Sequence, residues 1–408
     1  MITKSFQSIQ VSLLGMGNMR LPQKGTASNS PIDWEASAEI IDYALAHGVN
    51  YFDTAPVYCQ GLSEKVTGIA LSRHPRDSYF IATKLSNFGD PSYDEAIRMY
   101  NHSMSELQTD HIDYYLLHSV GNGKALKDRF IDTGLLDYFL EERKAGHIRN
   151  LGFSYHGDVE VFDHAMSMHD KVHWDHVLIQ HNYINWRHAA SLADDGNGDA
   201  NSEYLYGQLA ARDIPIFVME PLLGGQLDNL PQFAVDELKR REPQQSIASW
   251  AFRFAANQPR ILTVLSGMTY MEHLQDNLRT MSPHRSLTSD EEALLMGIAD
   301  KYVEYPLVPC TGCQYCMPCP YGIDIPGIFA HYNKVVNEGS MPDEPAESAS
   351  GEERRAYRRA RREYLKSYNH AVEPDRQADH CIGCGRCLAE CPQQIDIPGR
   401  LAMIEKKM

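Results

Sequence analysis

Two short runs of cysteines carry the clearest chemistry in this sequence. Eight of the nine cysteines lie in them, each run ending before a proline: Cys310, Cys313, Cys316 and Cys319, then Cys381, Cys384, Cys387 and Cys391. Three thiolates spaced by two residues can wrap three corners of an iron–sulfur cubane, and the fourth cysteine of such a run usually serves a second cluster. The runs therefore predict two 4Fe-4S clusters.

The fourth ligand of each cluster is the least certain part of this interpretation, because Cys319 follows a spacing of two residues and Cys391 a spacing of three. If fourth ligands are exchanged, Cys391 completes the first set and Cys319 the second. Zinc is an alternative, although a tetrahedral zinc ion prefers two separated cysteine pairs. Disulfides are disfavoured, since the N-terminus lacks a basic region followed by an apolar core. We expect a reduced, cytoplasmic protein.

A second set of residues could carry out acid–base chemistry. Asp53, Lys84 and His118 each close an apolar run, and Tyr58 follows in the loop after Asp53. Taken singly they have ordinary roles as a helix cap, a surface charge, a core histidine and a half-buried aromatic. These ordinary roles do not explain the four residues together. Burying a lysine and a histidine beside apolar runs costs free energy unless the two side chains are partnered or functional. We expect the four side chains to converge.

The elements that must position these residues alternate between short apolar runs and amphipathic helical stretches. The predicted strands are 11–17, 50–53, 79–84, 113–118, 149–153, 176–180, 214–219 and 260–265. The predicted helices are 34–47, 62–72, 93–107, 134–145, 159–167, 202–212, 246–257 and 271–280. Eight such units in about 270 residues predict a (β/α)8 TIM barrel, with its chemistry at the C-terminal ends of the strands.

An open doubly wound sheet is the alternative fold. It is disfavoured because the run Leu14-Gly15-Met16-Gly17-Asn18-Met19 has two glycines but lacks the third glycine of the dinucleotide fingerprint. The C-terminal part repeats the sequence Ile-Asp-Ile-Pro-Gly, at 323–327 and again at 395–399, before apolar helical segments. We therefore predict a barrel over residues 1–300 and an all-α ferredoxin-like domain over residues 301–408.

Charge and hydropathy restrict the partners. The formal net charge of −16 argues against nucleic acid, and no apolar stretch is long enough to cross a membrane. A local exception between the cysteine runs is basic: Arg354, Arg355, Arg358, Arg359, Arg361, Arg362 and Lys366. This segment is either a solvated helix, interleaved with glutamates, or a docking face for an acidic redox partner protein.

The segments Asp53–Tyr58, Thr83-Lys84 and Leu116-Leu117-His118 resemble the aldo-keto reductase family, as do Lys144–Arg149 and Leu151–Ser154. With its cysteine tail, the chain resembles oxidoreductases that join such a barrel to a ferredoxin domain. The resemblance implies NAD(P)H-dependent reduction of a small aldehyde or ketone. Tyr58 would protonate the carbonyl oxygen, Lys84 held by Asp53 would stabilise the Tyr58 anion, and His118 would orient that oxygen.

The resemblance also implies an NADP or NAD cofactor across the barrel mouth. The matching positions are Gly17, Asn18, Ser154, Gln180, Met219, Glu220, Pro221, Leu222, Gly267, His273, Asp276 and Asn277. The chain departs from the family at Tyr155, where asparagine is usual, and at Met219-Glu220, where an aromatic residue and serine are usual. It also lacks the basic residues that hold a 2′-phosphate, which leaves NADH open as the cofactor.

The two halves have mismatched electron chemistry, because a nicotinamide transfers a hydride while each cluster passes one electron at a time. The clusters could stabilise the tail, deliver electrons to the active site, or remove them. The cysteine-rich part begins at the place where the family's C-terminal tail shapes the substrate pocket, so we expect it near the barrel mouth. The alternative function is an electron-transfer or docking protein with the barrel as a scaffold. Cys59 is either a packed thiol or one whose oxidation would block the site.

Overall fold

The computed structural model describes residues 1–25, 30–88, 92–121, 125–192, 199–346 and 348–408. Its strands are β1 Thr3–Phe6, β2 Ile9–Ser12, β3 Leu14–Gly17, β4 Tyr51–Asp53, β5 Phe80–Leu85, β6 Ile112–Val120, β7 Ile148–Tyr155, β8 His176–Gln180, β9 Ile216–Met219 and β10 Ile261–Ser266. Within these ranges, β3 to β10 form a closed parallel barrel in which β10 pairs with β3. The predicted (β/α)8 barrel is confirmed, and the alternative prediction of an open doubly wound sheet is wrong.

Helices follow the barrel strands and continue beyond them. Their bounds are α1 Trp34–Ala46, α2 Ser63–Leu71, α3 Tyr93–Glu106, α4 Leu135–Ala145, α5 Val159–Ser167, α6 His169–Val172, α7 Asn185–His188, α8 Ser202–Ala211, α9 Gln232–Arg241, α10 Ile247–Ala256, α11 Met271–Met281, α12 Ser289–Tyr302, α13 Ile325–Asn337, α14 Gly351–Ala371, α15 Arg386–Glu390 and α16 Ile397–Glu405. The strands are buried on both faces, as parallel strands between helices are.

The first predicted strand, 11–17, is two elements. Val11 belongs to β2, which pairs with β1 as an antiparallel hairpin, and only β3 enters the barrel. The hairpin turns at Gln7, whose φ is +51°. Phe6 packs 5.6 Å from the ring of Tyr114 and 6.5 Å from that of Phe217, so the hairpin closes the N-terminal end of the barrel.

Two helices that we did not predict, α9 and α12, form a second core with α10 beside the barrel. The helix α12 begins with a capping box. The Thr288 hydroxyl accepts the backbone N–H of Glu291, and the Glu291 carboxylate accepts the backbone N–H of Thr288. The loop after α12 then leads the chain across the barrel mouth. Asn333 of α13 holds this loop, donating to the carbonyl of Val308 at 2.7 Å and accepting from its N–H at 2.8 Å.

The C-terminal part is helical and has its own apolar core, formed by α13, α14, α16 and their connections. The two copies of the repeat begin α13 and α16 in the same way, because Asp324 and Asp396 each accept a hydrogen bond from the glycine three residues on. In α14, Tyr364 and Tyr368 are buried while the arginines of the basic segment are exposed. The helical ferredoxin-like architecture is confirmed.

Candidate functional site

Asp53 and Lys84 form a buried ion pair at the barrel mouth. Asp53 ends β4, and Lys84 lies on the neighbouring β5 with only 1% of its surface exposed. The Lys84 Nζ atom lies 2.5 Å from Asp53 Oδ1 and 2.9 Å from the carbonyl oxygen of Thr54. Burial raises the pKa of the Asp53 carboxyl and lowers that of the Lys84 amine, and the contact between the two opposes both shifts.

Tyr58 lies over this pair, in a short turn after β4. The Lys84 Nζ atom lies 4.8 Å from the centre of the Tyr58 ring. Burial raises the pKa of Tyr58 well above its ordinary value, and the charge of Asp53 raises it further. Since Asp53 offsets the charge of Lys84, the cation does not dominate the surroundings of the phenol. Tyr58 is therefore a protonated phenol in this site.

His118 completes the predicted group, although it lies within β6 rather than at its end. The strand continues to Val120 past an irregularity in its pairing with β7, and Ser119 there has a φ of +53°. The Nδ1 atom of His118 lies 2.6 Å from Ser86 Oγ. Burial lowers the pKa of His118 well below its ordinary value, followed by the charge of Lys84. His118 is therefore a neutral imidazole in this site.

Strained backbone surrounds the four residues. Cys59, Gln60 and Glu220 all have positive φ values, at +51°, +58° and +53°. Residues other than glycine rarely adopt a positive φ, and such backbone strain is concentrated at functional sites. The Cys59 thiol is half-buried and lies 3.4 Å from the carbonyl oxygen of Met19. The strain marks the edge of the barrel mouth on the Tyr58 side and on the Glu220 side.

The residues matched to the nicotinamide end are hydrogen-bonded to other protein groups. Ser154 Oγ accepts the backbone N–H of Ser119 at 2.8 Å, and Gln180 Nε2 donates to Glu220 Oε2 at 3.1 Å. Burial raises the pKa of Glu220 to about 7, against the charge of Arg20. Met219 ends β9, while the adjoining Pro221 is buried and Leu222 half-buried.

The residues matched to the other end of the nucleotide lie between β3, β10 and α11. Asn277 Nδ2 donates to Ser266 Oγ at 2.9 Å, Asp276 accepts from Ser246 at 2.5 Å, and His273 is exposed. Gly17 ends β3, and Gly267 follows β10 beneath the side chain of Arg20. Asn18 donates to Thr67 at 2.8 Å, but its Oδ1 atom is buried with no partner among the described residues.

The eight cysteines of the two runs gather as two sets of four. The thiols that interact with Cys316 are Cys313, Cys310, Cys391 and, across the two sets, Cys387; Cys387 also interacts with Cys381, Cys319 and Cys384. Burial raises the pKa of Cys310 to about 12 and that of Cys313 to about 11, so both need a bound cation in order to ionise. In the described ranges no three potential ligands converge on one metal ion.

The cysteine-rich part lies at the barrel mouth, as expected, but sequence reasoning missed which of its residues enters the site. The hydroxyl of Tyr315, between Cys313 and Cys316, lies 3.2 Å from His118 Nε2. It also bonds with the Tyr58 hydroxyl, which offsets part of the rise in the pKa of Tyr58. A cavity of about 1180 Å³ runs along this contact, lined by residues of both halves that include Tyr58, Arg129 and Cys391. The sequence feature that could have indicated this contact was the aromatic Tyr315 between two cysteines of the first run.

The family can now be assigned. Residues 13–299 match the sequence model of the Aldo/keto reductase family, which is more than half of the chain. The chain belongs to that family. Residues 309–395 of this aldo/keto reductase match a second model, described as a 4Fe-4S dicluster domain. The protein is therefore an oxidoreductase with a 4Fe-4S domain, as the sequence predicted.

Relatives align over the barrel. The aldo/keto reductase is 27% identical over 348 residues to Protein tas of Escherichia coli (strain K12), covering 73% of this chain and 97% of that protein. It is 25% identical over 313 residues to the uncharacterized oxidoreductase YqkF of Bacillus subtilis (strain 168), covering 69% and 91%. Both matches leave out part of the chain.

Solved structures share the fold of the barrel. One is the holo form of aldo-keto reductase AKR11C1 from Bacillus halodurans, at 23% identity and a TM-score of 0.57, covering 73% of this chain and 96% of that chain. Another is an aldo-keto reductase from Klebsiella pneumoniae in complex with NADPH, at 20% identity and a TM-score of 0.57, covering 74% and 96%. In the described part of this aldo/keto reductase, no helix is long and apolar enough to cross a membrane.

Proposed function

We propose that this aldo/keto reductase reduces the carbonyl group of a small aldehyde or ketone, with Tyr58 as the general acid. The observation that carries the proposal is the buried Asp53–Lys84 pair beneath the Tyr58 ring, facing the neutral His118. The carbonyl carbon accepts a hydride while Tyr58 gives a proton to the oxygen, so the product is an alcohol and the phenolate is left beside Lys84. His118 orients the oxygen by a hydrogen bond.

A nicotinamide nucleotide, NADP or NAD, supplies the hydride when it is bound. The residues that would hold it are those matched above, from Gly17 to Asn277. The buried Asn18 Oδ1 atom, which lacks a partner among the described residues, supports a ligand there. The solved Klebsiella relative in complex with NADPH gives further support. The bond between Gln180 and Glu220 must rearrange if Gln180 is to grip the nicotinamide amide.

We also propose two 4Fe-4S clusters in a separate domain over residues 301–408, after a barrel domain over residues 1–300. The first cluster would be held by Cys310, Cys313, Cys316 and Cys391, and the second by Cys319, Cys381, Cys384 and Cys387. The two sets of neighbouring thiols support this assignment. The clusters supply one-electron transfer when they are bound.

An acidic one-electron carrier protein is the proposed partner. Near the second set of cysteines Cys384 is exposed, and so are Ile382, at 65%, and Leu388, at 44%. Exposed apolar side chains beside a redox centre are suited to a transient docking surface. The arginines of α14 give the same domain a positive face in a chain with a net charge of −16, which favours an acidic carrier.

The proposed acid can be tested by replacing Tyr58 with phenylalanine. We expect the rate of carbonyl reduction to fall by roughly 10² to 10⁴-fold, with nucleotide binding retained. Tyr93→Phe is the matched control, because Tyr93 is an exposed tyrosine on α3. Full activity of Tyr58→Phe in every redox assay would remove the enzyme proposal and favour the electron-transfer alternative.

A further inference from the structure

Tyr315 occupies the place that the proposed function gives to the substrate oxygen. Its hydroxyl is bonded to His118 Nε2, at 3.2 Å, and to the Tyr58 hydroxyl. These are the two groups that would orient and protonate a carbonyl oxygen. Phe88 packs against both rings of this contact, 5.1 Å from His118 and 5.8 Å from Tyr315. A carbonyl compound can therefore hydrogen-bond to His118 and Tyr58 only after the Tyr315 hydroxyl has moved away from them.

The segment before Tyr315 is seated on the barrel by specific contacts. Gly224 has a φ of +69°, and a Cβ atom there would lie 2.3 Å from Thr311 Cα, so the loop and the barrel meet as closely as glycine permits. The Arg20 guanidinium donates to the carbonyl of Thr311, and Gln226 Nε2 donates to that of Cys310 at 3.2 Å. The loop is therefore held by two separate segments of the barrel mouth, one at Arg20 and one that contains both Gly224 and Gln226.

These contacts lie across the predicted nucleotide groove. Thr311 is bonded to Arg20, whose side chain also covers Gly267, where a Cβ atom would lie 3.2 Å from Arg20 Cδ. On the opposite side, Gly224 follows the matched run Met219–Leu222. The chain from Cys310 to Cys316 thus runs between the two sides to which the resemblance assigns the nucleotide.

We propose that residues 310–316, the cysteine loop, are an internal occupant of the active site. Tyr315 takes the place of the substrate oxygen and Thr311 lies in the nucleotide groove, so nucleotide and carbonyl compound bind when the loop withdraws. This rests on the proposed function, whose site it regulates. Because three cysteines of the first set lie in the same loop, withdrawal also moves their thiols.

Two variants weaken the contact between the cysteine loop and the barrel. Neither changes a cysteine or any of the four residues Asp53, Tyr58, Lys84 and His118. Tyr315→Phe removes the hydroxyl that bonds to His118 and Tyr58, and Gly224→Ala pushes a methyl group against Thr311. In the anaerobic holoprotein we expect Tyr315→Phe to lower KM for a small aldehyde by about tenfold. We expect Gly224→Ala to strengthen NADPH and NADH binding by about tenfold, measured by nucleotide fluorescence. Tyr321→Phe, at an exposed position after Cys319, is the control and should match the wild type.

Alkylation of Cys59 is a readout that does not need activity. Cys59 lines the cavity beside Tyr58 and stands outside both cysteine sets. We expect iodoacetamide to label it faster in both variants, with the position of the label found by mass spectrometry. Added NADPH should also accelerate labelling in the wild type, because it holds the loop away.

Two results separate this proposal from the proposed function. If both variants keep wild-type nucleotide affinity, KM and Cys59 labelling, the loop does not occupy the site and the proposal is overturned, whatever Tyr58→Phe does. If labelling and nucleotide binding rise while Tyr58→Phe keeps full activity, the loop proposal stands and the acid role fails. Iron and sulfide content is measured for each variant, and Tyr315→Phe decides the result if Gly224→Ala loses iron.

Discussion

The Nζ atom of Lys84 lies 2.5 Å from Asp53 Oδ1 beneath the ring of Tyr58, and both charged side chains are almost fully buried. A buried pair of this kind adds little net stability, because removing two charges from water costs about as much as their attraction returns. Breaking it is costly, since one charge is left without its partner. The pair is therefore better explained by the acid role proposed for Tyr58 than by the stability of the barrel.

Removing one partner should destabilise the protein more than removing both. We expect Asp53→Asn to lower the free energy of unfolding by about 3 to 5 kcal/mol, because it leaves the Lys84 ammonium buried and unpaired. The double variant Asp53→Asn/Lys84→Met should recover much of that loss but no catalytic activity. Urea unfolding and the rate of carbonyl reduction measure the two effects.

An exposed ion pair gives the matched control. Arg187 and Glu203 lie 2.9 Å apart with both side chains about half exposed, so Arg187→Met should cost less than about 1 kcal/mol. Equal losses from Asp53→Asn and Arg187→Met would contradict the view that burial makes the first pair costly to break.

Acid should destabilise the barrel through a buried histidine. His176 lies inside the barrel beside Tyr114 and Phe217, and burial lowers its pKa to about 3. The unfolded chain has a histidine pKa near 6.5, so it binds a proton that the folded chain does not. This contribution to stability is present above about pH 6.5 and decreases as the pH falls toward the folded value, by about 1.4 kcal/mol per pH unit.

His176→Gln should remove that dependence. Between pH 5.5 and 7.5, we expect the free energy of unfolding of the variant to fall less steeply with decreasing pH than that of the wild type. The measurement is urea unfolding under anaerobic conditions at several pH values. Parallel curves for the two proteins would contradict the assignment of the acid sensitivity to His176.

The proposed exchange of fourth ligands makes a prediction about pairs of variants. Cys391→Ser and Cys310→Ser should alter the same cluster, because their thiols belong to one set. Cys319→Ser and Cys381→Ser should alter the other. Electron paramagnetic resonance of the dithionite-reduced protein, together with iron analysis, distinguishes the two signals. If Cys391→Ser instead altered the signal that Cys381→Ser alters, the ligands would not be exchanged.

The repeated helix starts should contribute equally to stability. Asp324 and Asp396 cap α13 and α16 by accepting the N–H of Gly327 and Gly399, each at 3.2 Å. Replacing either aspartate with alanine should cost about 1 kcal/mol. Thermal unfolding measures this, with Asp343→Ala as a control at an exposed position. A loss at Asp324 alone would show that the two copies are not equivalent.

Much of the barrel could be read from the sequence because its signal is local. Alternating apolar runs and amphipathic stretches placed the strand His176–Gln180 and the helix Val159–Ser167 at their observed bounds. The first strand was misplaced, because β2 ends at Ser12 and β3 begins at Leu14, a break that periodicity alone does not show within one apolar run. Asp53, Tyr58, Lys84 and His118 converge because neighbouring parallel strands end at one edge.

The contact of Tyr315 with His118 could not be read in the same way, since 197 residues separate the two. Which side chain of the cysteine loop enters the barrel depends on how that loop crosses the mouth, and this is set by contacts such as Arg20 with Thr311. No local periodicity records such a crossing. The sequence shows that Glu220 stands where serine is usual in the family, but it does not show the hydrogen bond between Gln180 and Glu220.

The crossing of Cys391 into the first set has a consequence for how the protein is made. The barrel precedes the cysteine runs in the chain and can fold first, because domains generally fold as units in the order of synthesis. In the proposed assignment the second set is complete only after Cys387 has emerged, and the first only after Cys391. If this assignment holds, metal delivery follows synthesis of the barrel, and the nascent chain passes through a stage with a folded barrel and an uncovered mouth.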